Sequence, residues 1–573
     1  MFDHPQIIGA DQYLVEVAWD DGSNLFKRVL AKQKDSSTAT MLSNFEFGKK
    51  YMWRYAGLQS GKELGWNGPY SFEILSSLFV DKNLFRVRVL QNDSLSNSGG
   101  LIVLDKSGTI IDRKGNAVWF LPPDNGYGEK QTIVTPPVNP AMGAKDLLDL
   151  TFTPFGSLTF IRGFGIGTSA EERDLRGNIL WRAPSRNDRS FDSLNTHSSC
   201  EYHHCFKRLS SGNYMVLDRD VVLLDITQDS SSAEITATNF AKVKIGYEII
   251  KEFDRDGNLL WSWSSKKYFN LTELRSLVIR KAAQSLRNPT NGGHMNSFDI
   301  DELNGFVYAG FRNANRVIKI DKKSGCVVGS WGNDISSLGG NNNDDLFSKQ
   351  HGTTLLRDGS IAIFNNNPEQ IITSNKKPAS SVLIFNQFAD DPTSRKIWKF
   401  DCSLDTGNNM SLTGGNVDEL KSNNLLVGMG DVNRVFEITR GKRIVWSALI
   451  ESYDQKDSTW RKFSTYRAHY TSSLYPCYFT IQTNCDTLSK TEPSFQVKIF
   501  NDGTENDSYQ VDIKSLSGMY QEQFSTVVLP CKKSISFNIE PGNLSIVNDK
   551  IVILVKSKTN PDFIRTVYIP YTR

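Results

Sequence analysis

Three stretches of the chain repeat one phrase that begins with histidine: HCFKRLSSGNYMVL at residues 204–217, HMNSFDIDELNGFVYAG at 294–310 and HGTTLLRDGSIAIFNN at 351–366. Each contains a run of strand-forming residues, a turn with glycine and a second apolar run, which is the pattern of a β-hairpin. A fourth copy, GNVDELKSNNLLVGMGD at 415–431, keeps the hairpin without the histidine. Because the chain has only seven histidines, their use at one repeat position predicts that equivalent points of a symmetric scaffold converge on one site.

A second repeat consists of short phrases that carry a tryptophan at intervals of 48 to 80 residues. The six phrases are GNAVWF at Trp119, GNILWR at Trp181, GNLLWSW at Trp261, CVVGSW at Trp331, KIWKF at Trp398 and KRIVWS at Trp446. Since the runs between them alternate with a period of two, we predict an all-β protein with radially arranged four-stranded sheets, a six-bladed β-propeller. Five or seven blades, or a generic all-β fold with ordinary buried tryptophans, are the alternatives.

Composition and charge fit a large β-rich chain of several domains. The chain has 573 residues, 39% of them hydrophobic, and no segment is long and apolar enough to cross a bilayer. Its 66 basic and 63 acidic residues form no basic stripe, so we expect no nucleic-acid partner. The sequence leaves the oligomeric state open.

The two ends of the chain differ from the middle, and we divide the sequence into residues 1–78, 79–472 and 473–573. The first segment resembles the second half of a fibronectin type III domain. Its opening strands are missing before Tyr13, so we expect the chain to begin inside a module, and the lack of a visible signal peptide at Met1 carries little weight. The last segment starts after SLYP at 473–476, and its alternating runs suit an immunoglobulin-like sandwich.

The seven cysteines are too sparse for a disulfide framework. A zinc site can be drawn from His197, Cys200, His203, His204 and Cys205. Structural zinc sites usually take ligand pairs from two separated turns, however, and no second pair is evident. We therefore interpret the cysteines as small apolar residues within strands, and we predict neither a metal nor a cofactor.

The middle of the chain, roughly residues 90 to 475, resembles the bacterial aryl-sulfate sulfotransferases that use no nucleotide donor. The resemblance rests on YHH…SSGNYMVLD, HMNSFDID…GFRNANRVIKIDKKSG, KQHGTTLLRDGSIAIFNN and YRAHYTSSLYP. It implies a six-bladed propeller, periplasmic or secreted. It also implies ping-pong transfer of a sulfuryl group from a phenolic sulfate to another phenol, through a sulfated histidine and without a cofactor.

The resemblance also implies a set of site residues. The nucleophile is His351, and the sulfuryl group is bound by His294, Asn296, Arg312 and one histidine of the pair His203 and His204. Of that pair we favour His204, because it stands eight residues before its turn glycine, as His351 does. His203 would face the other side of a regular strand, although a bulge would reverse this assignment.

The chemistry of sulfuryl transfer suits these side chains. Arg312 and Asn296 supply hydrogen-bond donors to the sulfuryl oxygens. A neutral imidazole attacks sulfur near neutral pH because its ordinary pKa is about 6.5. A second histidine, His204 or His294, would protonate the departing phenolate and later take a proton from the acceptor phenol.

Two further details are left open by the sequence. If Asn304 and Gly305 form a two-residue turn, Arg312 lies opposite Ser297, and it reaches the face of His294 through a one-residue slip, a bulge or a side chain that extends over the end of the strand. The segment YRAHY adds candidates that either line the aryl pocket or seal the domain junction: Tyr466, Arg467, His469 and Tyr470.

Other functions compete with sulfuryl transfer. A propeller polysaccharide lyase or hydrolase would use the histidines to hold a metal or to abstract a proton. A secreted propeller that binds glycans or proteins would need no histidines at one repeat position. A quinone-dependent dehydrogenase is disfavoured, because no set of carboxylates is placed to bind calcium. The physiological donor and acceptor stay open as well, since Cys205 follows the histidine pair where the family pattern has an acidic residue.

Overall fold

The computed structural model describes residues 1–23, 25–122, 147–162, 168–184, 202–225, 242–269, 273, 290–291, 293–332, 347–367, 378–388, 396–404, 409–489, 494–541, 549–560 and 562–571. This part of the chain is nearly all β, which confirms the predicted all-β class. No helix within it has the length and apolarity to span a bilayer. The chain divides into two compact units, one of residues 1–77, 154–156 and 472–573 and one of residues 78–153 and 157–471.

The first 77 residues form one antiparallel sheet and one short strand pairing. Their strands are β1 (Phe2–Asp3), β2 (Gln12–Trp19), β3 (Val29–Asp35), β4 (Ala39–Thr40), β5 (Lys49–Gln59) and β6 (Lys62–Ile74). The sheet has the order β3-β2-β5-β6, and β1 pairs with β4. Strand β2 lies at its centre and buries Tyr13, Val15 and Val17.

The second unit contains six sheets of four or more strands among its described residues. Its strands are β7 (Phe85–Asn92), β8 (Leu101–Leu104), β9 (Thr109–Ile111), β10 (Ala117–Phe120), β11 (Leu147–Phe152), β12 (Leu158–Arg162), β13 (Ser169–Arg173), β14 (Ile179–Arg182), β15 (Phe206–Arg208), β16 (Tyr214–Asp225), β17 (Lys242–Phe253), β18 (Leu259–Ser264), β19 (Thr290–Asn291), β20 (Met295–Asp301), β21 (Phe306–Phe311), β22 (Arg316–Asp321), β23 (Val327–Gly332), β24 (His351–Leu355), β25 (Ile361–Asn365), β26 (Ser381–Phe385), β27 (Lys396–Asp401), β28 (Asn416–Glu419), β29 (Leu425–Gly428), β30 (Arg434–Ile438), β31 (Ile444–Asp454), β32 (Thr459–Lys462) and β33 (Ala468–Thr471). A 3₁₀ turn, Ser265–Lys267, follows β18.

Within these sheets, strands that are consecutive in the chain are neighbours. Sheet 1 is β33-β8-β9-β10, sheet 2 is β11 to β14, sheet 3 is β15 to β18 with β19 beside β17, sheet 4 is β20 to β23, sheet 5 is β24 to β27, and sheet 6 is β28 to β32 with β7 beside β31. This meander is what a series of hairpin repeats produces.

Sheets 1 and 6 hold the two ends of the second unit together. The last strand, β33, pairs with β8, so that Ala468 lies opposite Leu104 and Thr471 opposite Leu101. Strand β7, which precedes sheet 1 in the chain, pairs with β31 of sheet 6. Each of these two sheets therefore depends on backbone hydrogen bonds between distant parts of the sequence.

The repeated tryptophans connect each sheet to the following one. Four of them donate an indole N–H to a turn carbonyl of the next sheet: Trp119 to Leu175 at 2.9 Å, Trp261 to Lys322 at 2.8 Å, Trp398 to Arg440 at 2.8 Å and Trp446 to Arg113 at 2.8 Å. The last of these bonds runs from sheet 6 to sheet 1. The other two make ring contacts instead: Trp181 with Tyr214 of sheet 3, centroids 3.9 Å apart, and Trp331 with Phe385 of sheet 5, centroids 5.8 Å apart.

The C-terminal residues of the first unit form two antiparallel sheets. Their strands are β34 (Phe479–Thr483), β35 (Phe495–Asn501), β36 (Tyr509–Ser515), β37 (Gln521–Ser525), β38 (Ser534–Ile539), β39 (Lys550–Ser557) and β40 (Ile564–Pro570). The sheet orders are β34-β35-β38 and β37-β36-β39-β40. Alternate residues of both sheets, such as Val497, Ile499, Val511 and Ile553, share one core.

The Trp446→Phe substitution removes the indole donor from Arg113 while keeping an aromatic ring. Trp446 is fully buried, so the change leaves a cavity and removes the shorter of the two hydrogen bonds that the Arg113 carbonyl accepts, the other coming from Asn92 at 3.2 Å. We expect the free energy of unfolding of the second unit to fall by about 2–4 kcal/mol, measured by chemical denaturation. Trp460→Phe is the control, since Trp460 is partly exposed and its change should cost about 1 kcal/mol or less. Equal losses in the two variants would contradict the role of this bond.

Candidate active site

Three histidines and one tyrosine meet where the first strands of sheets 3, 4 and 5 begin. The ring centroids of His204 and His294 lie 5.0 Å apart. The ring of Tyr466 lies 5.9 Å from that of His204 and 5.9 Å from that of His351. We call these four residues the histidine cluster. Their repeat positions, far apart in the sequence, thus share one small volume.

The backbone of the cluster is strained at equivalent points. His204 has a φ of 60° and His294 a φ of 55°, both in the left-handed region. Next to His351, Gly352 has a φ of 61°, and a Cβ there would lie 2.6 Å from the Cα of Asn416. Left-handed non-glycine residues cost of order 1–3 kcal/mol each and concentrate at functional sites.

His351 bonds two acceptors through the same ring nitrogen. Its Nδ1 lies 2.7 Å from Oδ1 of Asn366 and 3.2 Å from the carbonyl oxygen of Lys349. The amide nitrogen of Asn366 donates to the carbonyls of Ser411 at 3.1 Å and Gly414 at 3.0 Å, so the atom that faces His351 is an oxygen. Nδ1 must therefore carry the proton, which leaves the lone pair of the ring on Nε2.

Burial and cationic neighbours keep the three imidazoles neutral. The side chain of His351 is almost fully buried, and its pKa is lowered to about 3, first by burial and further by Arg312 and Arg467. The pKa values of His204 and His294 lie well below the ordinary value, again mainly because of burial. At neutral pH, Nε2 of His351 is thus an unprotonated nucleophile.

The pairing of β20 with β21 differs from the register that a two-residue turn would give, and it brings Arg312 next to His294. Ser297 pairs with Gly310, and a bulge at Asn296 shifts the pairing, so that the backbone N–H of Arg312 donates to the carbonyl of His294 at 2.9 Å. The predicted two-residue turn is therefore wrong, and the bulge is one of the three ways in which Arg312 was expected to reach His294. Its guanidinium also donates to Leu412 O at 3.2 Å.

Asn296 is fully buried, and its amide group is engaged within the scaffold. Its Nδ2 donates to the carbonyl of Gln350, the residue before His351, at 2.7 Å. Its Oδ1 accepts a hydrogen bond from Ser297 Oγ at 3.1 Å. Asn296 thus ties β20 to the segment that carries His351.

Arg467 and His469 belong to a buried ionic network beside the cluster. Arg467 donates to Asp149 Oδ1 at 2.5 Å and to the carbonyl of Asn296 at 2.6 Å. His469 lies between two carboxylates, 3.3 Å from Asp149 Oδ1 and 3.1 Å from Asp418 Oδ2. Burial lowers the pKa of His469, but these carboxylates outweigh it and raise the pKa to about 9. Both residues are therefore charged scaffold groups at neutral pH.

The four candidates from YRAHY separate in the structure. Tyr466 joins the histidine cluster, and its buried hydroxyl has no hydrogen-bond partner among the described residues. Tyr470 donates its backbone N–H to Asp418 Oδ2 at 3.1 Å, the same carboxylate that His469 contacts. The structure thus brings Tyr466 to the imidazoles and His469 and Tyr470 to Asp418.

His203 lies behind His204 and contacts a buried carboxylate. Its Nδ1 is 2.7 Å from Nδ1 of His204, and its Nε2 is 3.0 Å from Oε2 of Glu248. Arg219 on β16 lies opposite Glu248 in register, with Nε 3.5 Å from Oε2. Glu248, Arg219 and Asn366 were not predicted from the sequence. Both β16 and β17 carry several charged residues, so the sequence does not single out Arg219 and Glu248, and the run of three asparagines after Phe364 was the available signal for Asn366.

The proposed ligands of the zinc site do not assemble in the described residues. No group of three or more His, Cys, Asp and Glu side chains there is arranged to hold a metal ion. Cys205 is buried, its Sγ lies 3.6 Å from the carbonyl of Phe298, and burial raises the pKa of the thiol to about 11. His197 and Cys200 lie outside the described residues.

Comparison with known proteins identifies the family of the second unit. A family model described as Arylsulfotransferase (ASST) matches residues 100–475, about two thirds of the chain. No similar sequence is found among curated proteins.

Similar solved structures include a protein of unknown function from Bacteroides caccae, 13% identical, covering 65% of this chain and 98% of that chain, with a TM-score of 0.36. Streptogramin B lyase is 12% identical, with 66% of this chain and 82% of that chain covered and a TM-score of 0.27. A putative 6-phosphogluconolactonase from Bacteroides fragilis NCTC 9343 is 12% identical, with 80% and 98% covered and a TM-score of 0.24. All three TM-scores lie below 0.5.

The His469→Gln substitution tests the ionic network by its pH dependence. The pKa of His469 is about 9 in the folded state and about 6.5 when unfolded, so the folded state binds the proton more tightly. This stabilisation is complete below about pH 6.5 and is lost as the pH rises through about 9. We expect the stability difference between wild type and variant, measured by urea unfolding, to shrink by about 2–3 kcal/mol between these limits.

His4→Gln is the matched control, because burial lowers the pKa of His4 and keeps it neutral over the same range. A stability difference for His469→Gln that stays constant or grows with pH would show that His469 is not charged in the folded protein.

Proposed function

Because the chain belongs to the arylsulfotransferase family, which supports aryl sulfotransferase activity, we propose that it transfers a sulfuryl group from a phenolic sulfate ester to a second phenol through sulfated His351. The observation that carries this proposal is the fixed tautomer of His351. Its Nδ1 proton is bound by Asn366, and its Nε2 lone pair is available beside two neutral imidazoles and a guanidinium. That arrangement suits nucleophilic catalysis on an anionic group.

In the first half-reaction, Nε2 of His351 attacks the sulfur of the donor. The N–S bond forms as the bond from sulfur to the phenolic oxygen breaks, and the phenol leaves with a proton from His204 or His294. The Nδ1 proton stays on the ring, held by Asn366 and Lys349. The sulfated ring is then an imidazolium, a good leaving group for the second half-reaction.

Fixed positive charge supports both half-reactions. Arg312 and Arg467 lie close enough to His351 to lower its pKa, and Arg219 and Arg312 do the same to His294. The same field attracts an anionic ester and stabilises charge on its oxygens as sulfur is transferred. The bound anion in turn raises the pKa of the neighbouring imidazoles, because an opposite charge favours their protonated form. One of them can then act as the acid.

We further propose that sheets 1 to 6 are the blades of a six-bladed propeller. Strands of adjoining sheets pack in the order β8 with β11, β12 with β15, β20 with β24, β24 with β28, and β28 with β33. Lys207 and Asp299, 3.0 Å apart, join sheets 3 and 4. The order thus returns from sheet 6 to sheet 1, as blades do around an axis.

In this proposal, residues 79–472 are the catalytic domain of a periplasmic or secreted protein. Residues 1–78 and 473–573 are its fibronectin type III-like and immunoglobulin-like modules. The family resemblance supports the location, and the two packed sheets of β34 to β40 support the second module.

Nucleotide-free transfer tests the proposal directly. Incubation with 4-nitrophenyl sulfate and phenol should release 4-nitrophenol and form phenyl sulfate. Initial rates over a grid of both concentrations should give the parallel double-reciprocal lines of a ping-pong reaction. His351→Asn should lower kcat by at least about 1000-fold, because it removes the nucleophile. His4→Asn, a buried histidine of the first unit, should leave the rates unchanged. Full activity of His351→Asn, or intersecting lines, would exclude this mechanism.

A further inference from the structure

We propose that Glu248, His203 and His204 form a proton relay, in which Glu248 and His203 orient His204 and stabilise its protonated form. His204, rather than His294, is then the acid and base of the reaction. This inference rests on the proposed sulfuryl transfer. It goes further by choosing between the two candidate histidines and by giving His203 and Glu248 a positioning role.

The geometry of the three side chains is that of a linear chain of contacts. Nδ1 of His204 lies 2.7 Å from Nδ1 of His203, and Nε2 of His203 lies 3.0 Å from Oε2 of Glu248. The two imidazole rings are nearly perpendicular, at 86°. Glu248 is fully buried, and His203 is 8% exposed. Bulk water is therefore largely excluded from the contacts between Glu248, His203 and His204.

The proton positions follow from the chemistry of the partners. Nε2 of His203 and Oε2 of Glu248 form an ion-pair contact without hydrogen-bond geometry, and because a carboxylate oxygen can only accept, a proton on Nε2 is the one that the contact favours. With that proton on Nε2, Nδ1 of His203 has a lone pair that can accept Nδ1–H of His204, 2.7 Å away. The second nitrogen of His204, Nε2, is left to exchange a proton with the phenol. The arrangement extends the carboxylate–histidine pair of hydrolases by one imidazole.

The carboxylate supplies negative charge on the far side of His203. Burial raises the pKa of Glu248, but Arg219 and His203 outweigh it and keep the pKa below the ordinary value. Glu248 is thus ionised at neutral pH, and its charge stabilises an imidazolium at the other end of the relay. In contrast, the charged groups that act most strongly on His294 are Arg219 and Arg312, and both oppose its protonation.

Before substrate binds, His204 is neutral, because burial, His203, His294, Arg219 and His351 all lower its pKa. The anionic ester adds the negative charge that the pocket lacks. The negative charge of Glu248 at the far end of the relay then favours protonation of His204 over protonation of His294.

The proton balances over one cycle. In the first half-reaction, the proton on Nε2 of His204 passes to the phenolic oxygen as the S–O bond breaks and the N–S bond to His351 forms. In the second, the acceptor phenol gives its proton to the same Nε2 as its oxygen attacks sulfur and the N–S bond breaks. The proton that His204 takes up when the anionic donor binds is thus regained from the acceptor and is released when the sulfated product leaves, so no net proton is consumed.

Donors with different leaving groups test the relay. A nitrophenolate leaves without protonation, whereas an unsubstituted phenolate needs a proton. Glu248→Gln keeps the shape and an acceptor oxygen but removes the charge. We expect kcat/KM for phenyl sulfate to fall by about 100-fold or more, the scale of general acid catalysis, and that for 4-nitrophenyl sulfate to change by less than about 3-fold. Glu248→Asp should recover part of the activity towards phenyl sulfate, since it restores the charge.

The matched control is Glu437→Gln in sheet 6. Glu437 is also fully buried and pairs with Arg113 at 2.9 Å, but it takes no part in the histidine cluster contacts described above. It should affect both donors equally. If Glu248→Gln does not fold, His203→Gln provides the same test. We expect it to lower kcat/KM for phenyl sulfate and to leave that for 4-nitrophenyl sulfate nearly unchanged.

The outcomes separate the relay from the proposed function. Equal losses with both donors in Glu248→Gln or His203→Gln, beside an active wild type, would overturn the relay and leave sulfuryl transfer intact. A wild type that transfers no sulfuryl group from either donor would overturn both. A selective loss with phenyl sulfate in His294→Asn, and none in His204→Asn, would assign the acid to the other histidine.

Discussion

The buried ion pair between Arg467 and Asp149 supports both the scaffold and the site. Arg467 directly precedes β33, and it bonds Asp149 of sheet 2 and the carbonyl of Asn296 of sheet 4. The other carboxylate oxygen of Asp149 accepts the backbone N–H of Phe206 in sheet 3 at 2.9 Å. Removing one partner of such a pair usually costs about 3–5 kcal/mol, because the other charge is left buried. This interaction thus links sheet 2 to the strands that follow His204 and His294.

The electrostatics of the site follow from the same construction. The imidazoles have little contact with water, and burial first, then the buried Arg467 and the partly buried Arg312, lower the pKa of His351. A field that keeps a nucleophile unprotonated also attracts an anionic substrate, so one arrangement serves both requirements. Asn366 completes it by fixing the tautomer of His351, since its own amide hydrogens are already bound by two carbonyls.

The sequence predicted the parts of this structure that depend on local pattern. Alternation with a period of two predicted the all-β class, and the repeated position of His204, His294 and His351 predicted that they meet. The predicted two-residue turn after Asp301 was wrong. The carboxylate of Asp301 accepts hydrogen bonds from the backbone N–H and the side-chain amide of Asn304, and these bonds favour a four-residue loop. Glu248 and Arg219 lie on β17 and β16, outside the repeated phrases, and Asn366 is the last residue of the third phrase, directly after β25. Their approach to the histidines depends on strand register and bulges, which residue pattern alone does not determine.

The covalent role of His351 is tested most directly by mass spectrometry of the donor-treated protein. The protein is mixed briefly with 4-nitrophenyl sulfate in the absence of acceptor, quenched without acid and digested. One added sulfuryl group should appear on the peptide that contains His351, and it should disappear when phenol is added before the quench. An adduct on another residue, or turnover by a ping-pong pattern with the His351 peptide unmodified, would contradict this account.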